Sequence, residues 1–267
     1  MARASTPRDR PITGAELDKV LDVAGDAVLI GGQALAFWLA YFSLDLPPGP
    51  RTYISLDADF LAMHDHVRIF AQALGARAEY TNEHQLSALH GTVVVATGKG
   101  DKVLVDVLRS VVGLSADEVQ QRAIRVTRPT RPNTSFLVMN PADCLVSRLE
   151  NLRKLADKRN EVGAWQAAIS VRVCRAYIEA LLVREQEPEA VAVATRVLRL
   201  TSTAPGLQAF RIYGIDALQA IPIAAFCSPG FCDQQHPRMV KHIAVLREAY
   251  KAPPQKAPKP PKAPTSR

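Results

Sequence analysis

Residues 27–44 run for eighteen positions without a charge, which touches the lower limit of a membrane span. Gly31, Gly32 and Gln33 interrupt the run early, so it reads as a short buried strand (AVLI), a tight turn (GGQ) and an apolar helix (ALAFWLAYF). The sequence contains no second apolar run of this length. Its start is rich in Arg and Pro, and an amphipathic helix precedes the apolar run, which is the wrong layout for a signal peptide. A cytoplasmic protein with no membrane partner is expected.

Element signals divide the chain near residue 140. Thr13 with Glu16 three residues later is a capping-box pattern that starts a helix ending near Gly25. A Pro-rich loop (Pro47, Pro48, Pro50) leads to a predicted strand over 53–60, then a helix over 67–74 with Gly75 as its cap. β-branched runs at 89–96 and 103–108, separated by Thr97 to Asp101, predict a hairpin. A helix over 115–122 and a strand near 124–127 complete this half. From Asn140 and Pro141, an N-cap pair, the chain reads as helices at about 141–157, 163–185, 188–201, 206–220 and 237–250. The expected fold class is α+β: a mixed sheet with helices over 13–139, then a helical domain over 140–250. A basic segment (1–12) precedes them and a disordered Lys/Pro-rich tail (251–267) follows.

The formal net charge of +7 suggests a nucleic-acid binder until it is located. The first ten residues carry +2, the segment after Tyr250 carries +5, and residues 11–250 are neutral. Within that body, 11–139 holds 11 basic and 14 acidic side chains and 140–250 holds 14 and 11. The two halves are therefore of complementary sign. With 48% hydrophobic and 22% charged residues the body can bury a core. Four irregularly placed cysteines exclude a disulfide framework, and no zinc spacing occurs.

The chemistry is concentrated in three places. Asp57 and Asp59, two apart on the predicted strand, project to one side, and two adjacent anions in an apolar strand are costly without a cation between them. Asp106 lies within a second apolar strand, VLVDVL. Oxygen ligands converging from neighbouring strands suit Mg²⁺ or Mn²⁺. Gly31 and Gly32 let the backbone approach a phosphate chain, with the helix that begins at Gln33 aiming its free N–H groups and positive dipole end at the same place. A phosphate site beside a carboxylate metal site implies phosphoryl or nucleotidyl transfer. Alone, a GG is usually a turn and a DxD usually a solvated pair. Their order and context give the combination its weight.

Gly31-Gly32, the Ser55-x-Asp57-x-Asp59 strand and the later Asp106 resemble the motif set of the DNA polymerase beta superfamily of nucleotidyltransferases, particularly the bacterial AbiE-type toxin nucleotidyltransferases. The resemblance covers 27–110 by motif and 140–185 by layout. It implies a nucleotidyltransferase-fold sheet of five strands, two Mg²⁺ ions, and transfer of a nucleoside monophosphate from an NTP with release of pyrophosphate. By analogy Asp57 and Asp59 hold both metals, Asp106 holds the catalytic metal and accepts the acceptor hydroxyl's proton, and Ser55 orients phosphates. Gly32 and Asp57 stand 25 positions apart, longer than in minimal members. The resemblance also implies a toxin role with a cognate antitoxin partner, although the acids that those toxins carry in the helical domain are missing around Arg148, Asn151, Lys158, Arg159 and Gln166.

Further candidates come from the charges. Arg148, Asn151, Leu155, Lys158 and Arg159 fall near one helix face and could close a triphosphate against the metal site, against the plain alternative of a solvated face. Arg51 precedes the Asp strand and His84 sits in a polar loop before a strand; both are nucleotide-binding candidates, as is Gln33. His64 and His66 diverge as metal ligands, and Trp38 and Trp165 read as core. The expected activity is a metal-dependent nucleotidyltransferase acting on the 3′ end of an RNA such as tRNA, or on a protein hydroxyl. Competing readings are a non-catalytic nucleotide- or RNA-binding member of the fold and a small-molecule, aminoglycoside-type nucleotidyltransferase, which the basic helical half disfavours.

Overall fold

The computed structural model describes residues 8–82, 87–96, 101–128 and 131–251. Chain order is β1 (Arg8–Asp9), α1 (Gly14–Asp22), β2 (Val28–Ile30), α2 (Gly31–Tyr41), β3 (Ala58–Leu61), α3 (Asp65–Leu74), β4 (Arg77–Tyr80), β5 (Leu89–Ala96) and β6 (Asp101–Leu108). There follow α4 (Ala116–Arg122), β7 (Ile124–Arg128), β8 (Arg131–Val138), α5 (Pro141–Lys154), α6 (Glu161–Val183), α7 (Glu187–Thr201), α8 (Ala204–Tyr213) and α9 (His236–Ala249). The molecule is α+β.

Among the described residues, seven strands form one mixed sheet in the order β4-β5-β6-β3-β2-β8-β7, with two-residue β1 paired alongside β6. This is wider than the five strands the resemblance implied. The additional strands β4 and β8 gave little signal: β4 is an exposed edge of sequence RAEY, and β8 opens with Arg-Pro-Asn, a start that does not read as a strand. The Thr13 capping box forms as expected. Its acid, Glu16, also meets the Arg10 guanidinium, which holds its carboxyl down at about 2. The basic N-terminal segment is thus tied to the sheet from Arg8 onward, and Ile12 N–H donates to Leu56 O at 3.0 Å.

Two boundaries differ where they matter for the site. The strand expected over 53–60 is confined to Ala58–Leu61. β2 pairs antiparallel with it only as far back as Ile30 opposite Asp59, because at Gly31 the chain turns into α2. Residues before Ala58 therefore lack that partner and form bends instead. The helix expected from Gln33 begins at Gly31, whose φ of +71° suits a glycine.

Buried side chains form two clusters, one between the sheet and its helices and one among the C-terminal helices. α6 joins them, with Trp165, Ile169 and Val173 in the first and Val171, Ile178 and Leu181 in the second. Gly163, where the second of the expected helices was to begin, lies inside α6; the break falls at 155–160, where Asn160 caps the helix by accepting from Gly163 N–H. The helix expected over 206–220 stops at Tyr213, where Gly214 takes a left-handed conformation. Both tryptophans are core, as expected: Trp38 donates to Met139 O at 2.8 Å and Trp165 to Pro47 O at 3.2 Å. All four cysteines are free.

Candidate functional site

β3 lies parallel to β6 with Asp59 directly opposite Asp106, so the register joins the second and third carboxylates across one strand pair. Asp57 sits on the bend just before β3, yet it faces the same cavity as both. Gly31 abuts the Asp59 carboxylate so closely that an added Cβ would overlap it, and Gly32 has the same relation to the Ser55 side chain. Gly31, Gly32 and Ser55 thus line this cavity too, whose volume is about 380 Å³, within the range of small-molecule clefts.

The opposite wall comes from the helical half. Ser147, Arg148 and Asn151 of α5, Leu155 and Lys158 after it, and Gln166 of α6 form that wall. The cavity is therefore polarised, with three carboxylates on the sheet side and two cations on the helical side. Arg148 is nine-tenths buried; its Nη1 donates to Gln166 Oε1 at 2.9 Å. Thr92 Oγ1 donates to Asp106 Oδ1 at 2.6 Å from the neighbouring strand β5, where it is the register partner of Asp106.

These surroundings shift the titrations. Burial raises the Asp59 carboxyl to about 7, helped by the Asp106 and Asp57 charges and opposed by Arg148 and Lys158. Burial also raises Asp106, against the Thr92 hydrogen bond that favours its charged form. Arg148 is lowered, chiefly by burial, with Asp59 acting the other way. A carboxylate that burial and like charges keep from ionising freely is a site that gains when a cation arrives.

The chemistry of this donor set, carboxylate oxygens without thiol or imidazole among the described lining residues, fits Mg²⁺ or Mn²⁺. As the side chains stand, however, no three of His, Cys, Asp and Glu among the described residues are gathered as a ready-made metal site. That holds equally for His64 and His66: His64 stacks on Tyr80, and His66 is buried against Asp26.

Of the sequence-derived candidates, Gly31, Gly32, Ser55, Asp57, Asp59, Asp106, Arg148 and Lys158 converge on this cavity. Arg51 does not: it is exposed, with its guanidinium over the Tyr53 ring at 5.7 Å, because the bends of 52–57 carry it away from the carboxylates. Gln33 does not line the cavity either; its amide donates to Ser55 O at 3.3 Å and so steadies the segment that does. Arg159 turns away to cap the end of α5 through the carbonyls of Leu152 and Arg153. His84 lies outside the described residues. The sequence carries no sign of Thr92, since only strand register reveals a threonine opposite an aspartate, and none of the contacts of Gln166 with Arg148 and Ile54.

A second cavity, of about 350 Å³, opens at the other ends of β2 and β3 beside Asp26, Met63, His90 and Arg109, and none of the candidates reaches it. No family model, curated protein or solved structure matches the chain. Among the described residues no helix is long and apolar enough to cross a membrane.

Proposed function

We propose that the chain is a metal-dependent nucleotidyltransferase of the nucleotidyltransferase fold, moving a nucleoside monophosphate from an NTP to an acceptor hydroxyl on RNA or protein. One observation carries this reading: the cavity sets Asp57, Asp59 and Asp106 against Arg148 and Lys158. A uniformly charged cleft would attract a simple ion, whereas a cleft divided in this way suits a polyanion that arrives with a divalent cation. Mg²⁺ or Mn²⁺, held by Asp57, Asp59 and Asp106, would supply charge neutralisation at the reacting phosphate and acidify the acceptor hydroxyl.

The chain's own groups do the rest. Arg148 and Lys158 bind phosphate oxygens from the helical side, as a guanidinium and an ammonium do well. At Gly31 and Gly32 the missing Cβ leaves room for the Asp59 carboxylate and the Ser55 side chain to face the cavity, and the N-terminus of α2 favours the charge of a phosphate chain. Thr92 donates to Asp106 Oδ1 and so orients the carboxylate that would take the acceptor's proton. The acceptor oxygen then bonds to the α-phosphorus as the bond to pyrophosphate breaks, and pyrophosphate leaves.

The experiment is transfer of label from each α-labelled NTP, with Mg²⁺, into total RNA, protein and small metabolites. Label is expected in RNA or protein and is expected to vanish in Asp57→Ala; no transfer to any acceptor, or transfer that survives Asp57→Ala, refutes the proposal. One observation favours a second reading, a module that binds nucleotide without turnover: the carboxylates are not already gathered around an ion position. NTP binding indifferent to Mg²⁺ and to Asp57 would support it.

A further inference from the structure

Arg128, the other buried arginine among the described residues, sits on carboxylates, paired with Asp18 and Asp22. Arg148 differs. It is as buried as Arg128, but its hydrogen-bond partner among the described residues is the neutral amide of Gln166, and no carboxylate forms an ion pair with it there. Asp59 faces it across the cavity without an ion pair, and a buried guanidinium with no carboxylate in contact gains when an anion reaches it.

Gln166 is itself fixed. Its Nε2 donates to Ile54 O at 2.6 Å, and because a carbonyl only accepts, the amide oxygen must face Arg148. Ile54 directly precedes Ser55 and stands three residues before Asp57, so one side chain on α6 ties the guanidinium to the segment that carries the first carboxylate. It does so without adding negative charge. Glutamate at this position would have the same length, but its carboxylate would pair with Arg148 and could not donate to Ile54 O.

We propose that Gln166 is a positioning residue that aims Arg148 while keeping a carboxylate out of contact with it, and that this sets the cavity's affinity for a polyphosphate anion. The proposal rests on the reading of the cavity as an NTP site and deepens it, assigning the helical wall to the polyphosphate. It requires no turnover, so it can fail or hold separately from the transferase activity.

The test is calorimetric titration of the full chain with inorganic tripolyphosphate in the absence of divalent cation, alongside thermal melts without ligand. Gln166→Glu is expected to bind about tenfold more weakly or worse, a loss of 1.4 kcal/mol per tenfold, while melting at the same temperature or higher. Gln166→Met, neutral and without the hydrogen bonds, is expected to melt lower but to lose only a few-fold in affinity. Those opposite signs distinguish charge control from simple packing. Should Gln166→Glu not fold, Asn151→Asp places an acid on the same wall at a half-buried position and is expected to weaken binding about tenfold. Unchanged affinity in the Glu variant, equal losses in the Glu and Met variants, or unchanged affinity in Asn151→Asp would overturn the inference. A wild-type chain that does not bind tripolyphosphate would overturn it together with the site reading.

Discussion

Asp59 is where the residue-level forces conflict. Its carboxyl is held near 7 by burial and by Asp106 and Asp57. A folded-state value raised above the unfolded one means that stability is fully present below about pH 4, falls as the pH rises toward 7, and stays reduced above that. Asp59→Asn removes this cost, so the ion-free variant is expected to melt higher than wild type at pH 8 by an amount worth a few kcal/mol, and the difference is expected to disappear near pH 4. Melts of both proteins across that range check it; a constant difference would contradict the assigned cause. Gly32→Ala tests the close approach beside it, since the added methyl meets the Ser55 side chain. Reduced NTP affinity with the fold retained is expected, read by calorimetry and circular dichroism. The pairing of Asp57 with Asp59 was legible from spacing, and Asp106 from its apolar flanks. Thr92 and Gln166 were not, because their roles arise from strand register and from contact between elements about a hundred residues apart.

At the scale of elements, the site depends on how α4, α5 and α7 are joined. Asp143 is fully buried at the start of α5 and meets both Arg122 of α4 and Arg196 of α7. Asp143→Ala leaves two cations facing an empty position. Because both arginines are about one-third exposed, solvent screens part of the loss, and a destabilisation of about 2 kcal/mol is expected in urea titration. The Pro-rich loop is fixed in a comparable way: Gly49 packs against the Trp165 ring, and a Cβ there would overlap it. Strong periodicity made the long helices and strands β5 and β6 readable in advance. The short elements were not, since β3 begins only where β2 has not yet turned into α2, and β4 is a polar edge whose partner alone makes it a strand.

For the whole molecule, the net charge and the site separate. The cations that make the chain basic stand at its two ends, while the body is neutral and divided by sign between its halves. Ending the chain at Tyr250 removes five basic residues and no acids. RNA binding is expected to weaken and its salt dependence to become shallower, with nucleotide binding unchanged; filter binding at several salt concentrations checks this, and loss of nucleotide binding on truncation would count against the division. The central claim is that two oppositely charged walls hold a metal and a polyphosphate together. It is tested most directly by titrating the purified chain with NTP, with and without Mg²⁺, beside Asp57→Ala and Arg148→Met. The account predicts binding that Mg²⁺ strengthens in the wild type, no such strengthening in Asp57→Ala, and weaker binding in Arg148→Met under both conditions. NTP binding that responds neither to Mg²⁺ nor to either substitution would contradict it.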